Sequence, residues 1–113
     1  MKTKFDTLRS EAVNLVLSCG IPPNLIGHAY LAAASEMYAS GKYSISDAYR
    51  AIAEQHNIKP RSVMRNITYA IRQGFNVAKR LSEITGISVG DDQLHNALVI
   101  AYLAVKLNEK SRA

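Results

Sequence analysis

Apolar residues recur three and four positions apart along most of the chain, while strict alternation is scarce, so the pattern predicts helices and no sheet. A first helix is expected from Asp6 to Ser18, with Leu8, Ala12, Val13, Leu15, Val16 and Cys19 inward and Gly20 ending it in a left-handed conformation. Pro22-Pro23 then stops that helix and starts a second one. This one carries Leu25, Ile26, Ala29, Tyr30, Ala33 and Met37 and ends near Ser40-Gly41. Gly27 and Ala32-Ala33-Ala34 are small enough to let another helix come close. Ser44-Ile45-Ser46-Asp47 offers an N-cap to a short third helix containing Ala48, Tyr49, Ile52 and Ala53. After a tight break at Asn57-Ile58-Lys59, Pro60 sits where a first-turn proline belongs. The helix it opens is expected to continue to about Arg80, with a break around Gly74. A loop over residues 85–90 follows, and Asp91-Asp92 then places acid at the start of the last helix, with Lys106 and Lys110 at its other end. The expected fold is an all-α compact bundle of about five or six helices, a single domain over residues 1–113.

The third and fourth helices, joined by a few residues, have the layout of a helix-turn-helix at about residues 46–80. At 100° per residue, Arg61, Arg65, Thr68 and Arg72 fall within about 60° of one another, with Lys79 on the same line. Val63, Ile67, Ala70, Ile71, Gly74 and Ala78 occupy the opposite side, so the helix is apolar toward a core and cationic toward solvent. Ser62 and Tyr69 border the polar stripe.

Charge changes how that stripe is read. The formal net charge is +5, and residues 57–82 hold Lys59, Arg61, Arg65, Arg72, Lys79 and Arg80 with no acid among them, so the whole excess lies there. Charge alone fits a polyanion binder and a solvated basic face equally. The stripe tips the balance, because like charges at i,i+4 repel and a polyphosphate partner removes that cost while releasing counterions. Arginine also presents two planar donors that match guanine O6 and N7 in the major groove. Arg61 and Arg65, near the helix start, are expected to reach base edges or adjacent phosphates. Ser62, Tyr69 and Thr68 are expected to donate to phosphate, Thr68 alternatively offering its methyl to a thymine, and Arg72 and Lys79 to meet the backbone.

Other chemistry is thinly supported. His28, His56 and His95 lack metal-ligand spacing, and no glycine-rich phosphate loop is present, so neither an enzyme nor a metal or cofactor site is expected. Glu11, Glu36 and Glu54 read as solvated surface acids. The lone cysteine, Cys19, among Val16, Leu17 and Ile21, reads as a buried structural thiol suited to a reducing cytoplasm. Met1-Lys2-Thr3-Lys4 is basic without a following apolar stretch, so no signal peptide is expected. The longest apolar run, Ala97 to Val105, is too short to span a bilayer, so no membrane partner is expected either. Single-stranded RNA is disfavoured because no aromatic stacking platform is evident.

From roughly Val16 to Leu107 the chain resembles the C-terminal effector domain of the stage-zero sporulation response regulator A. The family's Ile-Pro, Gly and Tyr-Leu positions appear as Ile21-Pro22, Gly27 and Tyr30-Leu31. A second pattern appears as Tyr49, Ile52, Ala53 and Asn57, and the family's recognition helix is matched at Val63, Arg65, Ile67, Ala70 and Ile71. The resemblance implies a six-helix effector fold, cytoplasmic double-stranded DNA binding in transcription regulation, and a DNA-contacting role carried over to Arg65. It further implies RNA polymerase and a second copy of the chain as partners, and no receiver domain is expected as part of this single-domain chain. The chain departs from the family at Arg61-Ser62, where the order is exchanged, at Met64 for a glutamate and at Thr68 for an arginine. Lys59 stands in place of a threonine, Phe75 in place of a tryptophan, and the loop before the last helix is shorter. The expected interface is therefore Lys59, Arg61, Ser62, Arg65, Thr68, Tyr69 and Arg72, reading a target site of its own. The alternative is a helical interaction module that pairs with another regulator without touching DNA.

Overall fold

The computed structural model describes the backbone of residues 4–112 and the side chains of residues 9–109, so the expectations for Met1-Lys2-Thr3, Leu8 and Lys110 lie outside the described residues. Six α-helices follow one another: α1 Lys4–Ser18, α2 Ile26–Ala39, α3 Ile45–His56, α4 Pro60–Arg72, α5 Val77–Thr85 and α6 Asn96–Arg112. A 3-10 turn, Asp91–Gln93, precedes α6, and no strand occurs among the described residues. None of the described helices is long and apolar enough to cross a membrane.

α2 is the hub, packed against α1, α3, α4 and α6. Sequence spacing gives it one apolar face; in fact it is enclosed along the run from Tyr30 to Glu36, whose every residue is buried. Alanines 32, 33 and 34 make this possible, since short side chains let neighbouring backbones come close on several sides at once. The expected inward residues Ile26 and Ala29 are exposed, whereas Leu31 is fully buried. Glu36, expected on the surface, is buried and paired with Arg9, tying α2 to α1. A buried carboxylate is tolerated when it keeps such a partner.

Local signals explain most helix ends. Gly20 ends α1 at φ +79°. Ser44 caps α3, its hydroxyl accepting from the Asp47 amide at 3.0 Å. Asn57 closes α3 in the left-handed region at φ 55°, and the Ile58 amide reaches back to the Ala53 carbonyl at 2.9 Å. Lys59 is extended before Pro60, as a residue preceding proline must be, and α4 starts at the proline. α4 is shorter than its periodicity predicts: it ends at Arg72, not near Arg80. The Phe75 amide leaves the helical path to donate to the Gly20 carbonyl at 3.0 Å, and Asn76 turns left-handed before α5. Asp91-Asp92 likewise belong to the 3-10 turn rather than to α6, which begins at Asn96.

Two core groups carry chemistry without a reaction. Burial pushes the Cys19 thiol up to about 11, against a smaller opposing effect of Arg80, leaving it unreactive at neutral pH. His28 is buried, and its Nδ1 donates to the Ile21 carbonyl at 3.2 Å, while Nε2 has no hydrogen-bond partner among the described residues. Burial lowers the His28 pKa below its ordinary 6.5, with the Ile21 bond opposing more weakly. With the folded pKa depressed, the unfolded chain binds the proton more readily. Stability is therefore complete above about pH 6.5 and declines as the pH falls from there toward the lower folded value. In His28→Asn, whose amide can still donate to Ile21, urea midpoints measured at pH 7.5 and 5.5 should differ less than in the parent chain.

Candidate nucleic-acid interface

α4 is held by one side only. Val63, Ile67, Ala70 and Ile71 are buried against α2, α3 and α6. Each large apolar side chain contributes roughly 1.5–3 kcal/mol of burial. Repulsion along the outer face costs only a few tenths of a kcal/mol per pair. The core contacts therefore fix the helix, and the outer face is free to concentrate charge.

Gly27 makes the docking close. A Cβ at that position would stand 2.0 Å from the Asn66 carbonyl oxygen and 2.8 Å from the Ala70 Cβ. The Asn66 side chain turns back to donate to the Ser62 carbonyl at 2.8 Å. With its inner face seated on α2 in this way, α4 turns Lys59, Arg61, Met64, Arg65, Tyr69 and Arg72 to solvent, with Ser62 and Thr68 half-buried. Lys59, Arg61, Arg65 and Arg72 have no ion-pair partner among the described residues. The seven expected interface residues therefore share one helix and the residue before it.

Thr68 stands apart from the other six. Its hydroxyl lies 3.0 Å from the Met64 carbonyl and 3.2 Å from Asn96 Oδ1, so its hydrogen is used within the protein. Beside α4 runs a groove of about 660 Å³ whose lining includes Ile45, Tyr49, Met64, Arg65, Arg72 and Leu94.

Lys79 and Arg80 do not continue the stripe, because they stand on α5. The Arg80 side chain lies over Gly20, where a Cβ would be 3.0 Å from its Cδ, and so covers the C-terminal end of α1. Lys79 is exposed beside Asn76, Arg80 and Glu83. At the end of α4, Arg72 shares a shallow cleft with Asp91 and Asp92. The cationic field is therefore strongest toward the N-terminal end of α4 and is offset by acid at its other end.

Sequence reasoning missed Asn96 and Tyr49, which meet α4 at the groove; nothing in local spacing links residues 28 and 32 positions apart. Among the described residues no three of His, Cys, Asp and Glu converge as metal ligands.

No curated protein and no solved structure matches the chain. The family model described as sporulation initiation factor Spo0A, C terminal, matches residues 12–107. That family consists of DNA-binding effector domains of sporulation response regulators and is not a family of enzymes. The match takes in part of α1, all of α2 to α5 and most of α6, and this chain belongs to the Spo0A C-terminal domain family.

Proposed function

We propose that this chain is a sequence-specific double-stranded DNA-binding transcription regulator whose α4 enters the major groove. One observation carries the reading. Arg61, Arg65 and Arg72 project unpaired from one exposed face of a helix whose other face is locked in the core, three residues after a supporting helix. The 13 residues of α4 make it about 20 Å long, and the groove, about 12 Å wide, admits a helix. In this arrangement Arg65, in the second turn, takes the base-reading role with its two parallel donors. Lys59 and Arg61 at the leading end hold phosphate or the adjoining base edge. Tyr69 and Ser62 supply neutral donors to phosphate, and Arg72 meets the backbone. Thr68 offers its methyl rather than its hydroxyl hydrogen, which is already donated inside the protein.

Met64 and Thr68 stand on the reading face where the family has charged residues, so the preferred site differs from that of its relatives. Titration of a random duplex pool across salt concentrations tests the reading. Engagement of three or four phosphates gives a fall in log affinity against log salt with a slope of about −3. Double-stranded competitor should displace the complex and single-stranded RNA should not. A chain that binds no duplex at low salt is instead a module acting through another regulator.

A further inference from the structure

α4 is fastened at its exposed edge by a side chain that the DNA-binding reading does not use. Asn96, the first residue of α6, donates from Nδ2 to the Met64 carbonyl at 3.0 Å. Its Oδ1 lies 3.2 Å from the Thr68 hydroxyl, whose one hydrogen is shared between this oxygen and the Met64 carbonyl at 3.0 Å. The phenol of Tyr49 on α3 lines the same groove, where the Asn96 side chain partly opposes the upward push that burial gives that group. A single half-buried amide thus fastens α4 to α6 at the groove beside Arg65 and Arg72, with Tyr49 of α3 on the same lining.

We propose that Asn96 is a positioning residue for α4: it fixes the rotation of the helix against α6 and thereby sets sequence discrimination, with little effect on affinity for phosphate. This rests on α4 being the DNA-facing helix. The bonds fall on Met64 and Thr68, which immediately precede Arg65 and lie three residues beyond it, so they hold the turn that presents that arginine. Two-pronged contacts to a base tolerate little displacement. Long cationic side chains reaching phosphate accommodate a small shift, and their Coulomb attraction changes slowly with distance. Without Asn96 the apolar side of α4 remains seated through Val63, Ile67 and Ile71. The helix therefore stays docked, and its rotation is what loosens.

Asn96→Ala, Tyr49→Phe and the double variant, each in the full chain, test this. Dissociation constants are compared for a duplex selected by the parent chain and for an unrelated duplex, over several salt concentrations. In Asn96→Ala the preference for the selected duplex should fall about tenfold, the size of one lost base contact. Affinity for the unrelated duplex should change less than about twofold, with the salt slope retained, since no phosphate contact is removed. Tyr49→Phe should lower the same preference by less, and the double variant should be no worse than Asn96→Ala, because both break one unit. Additive losses would mean that Asn96 and Tyr49 do not act as one unit and would overturn the proposal, as would an unchanged preference or an equal loss on both duplexes. A parent chain that binds no duplex overturns the DNA-binding reading itself. A discriminating parent matched by Asn96→Ala overturns the positioning role alone.

Discussion

With α4 in the major groove as proposed, Arg65→Ala should weaken binding to the preferred duplex by roughly 1–3 kcal/mol, about ten- to a hundredfold, and flatten discrimination at one base pair. The expectation follows from where the side chain stands. Arg65 lies in the second turn of α4, exposed and without an ion-pair partner among the described residues, on a helix whose opposite side cannot move without opening the core. Arg65→Lys keeps the charge and loses the two-pronged geometry, so it should restore affinity for unrelated duplexes and not the discrimination. Arg72→Ala should weaken all duplexes to a similar, smaller extent, since Arg72 stands near Asp91 and Asp92 at the far end of the helix. Competition binding against duplexes altered one base pair at a time checks each variant. If Arg65→Ala lowers affinity for every duplex equally, the arginine holds backbone and does not read a base.

Gly27→Ala destabilises the fold by about 3 kcal/mol, at the upper end of what one added methyl costs in a packed interior. The atom it meets explains the size. The new Cβ would lie 2.0 Å from the Asn66 carbonyl oxygen and 2.6 Å from its carbon, and backbone cannot swing aside as a side chain can. α2 and α4 must separate, which loosens the contacts of Ile67 and Ala70 and displaces the cationic face together with the helix. Gly41→Ala provides the contrast, because it adds a methyl in open space and pays only for a left-handed backbone at φ +78°. Urea denaturation should give a far lower midpoint for Gly27→Ala than for Gly41→Ala. Similar midpoints would mean that α2 and α4 are not packed so closely.

Features governed by neighbouring residues were legible in the sequence. The Ser44 cap, the first-turn Pro60, the left-handed Gly20 and the buried side of α4 each follow from a few adjacent residues or from helical spacing, and each appears in the structure. The clustering of cations at residues 59–80 was equally plain. Features that depend on distant partners were not. The end of α4 is set by a bond between Phe75 and Gly20, 55 positions apart in the chain, and periodicity runs on past it toward Arg80. The burial of Glu36 depends on Arg9, and the bond from Asn96 to the Met64 carbonyl links residues 32 positions apart. α2 misled for another reason: a helix enclosed on several sides has no single apolar face for spacing to reveal. For the interface, the sequence put six of the seven expected residues on one helix and Lys59 just before it, while the separation of Lys79 and Arg80 from them required the fold.

In the proposed complex the cationic face of α4, and not the basic segment as a whole, holds double-stranded DNA. Titrating a labelled random duplex pool with the Arg61→Ala/Arg65→Ala/Arg72→Ala variant and with Lys79→Ala, at two salt concentrations, tests it most directly. The triple variant should lose about a hundredfold or more in affinity at low salt, with a salt slope flattened by about 2 as the phosphate contacts of Arg61 and Arg72 go, while Lys79→Ala stays within about twofold of the parent chain. A folded triple variant that keeps the parent affinity and slope would contradict the account.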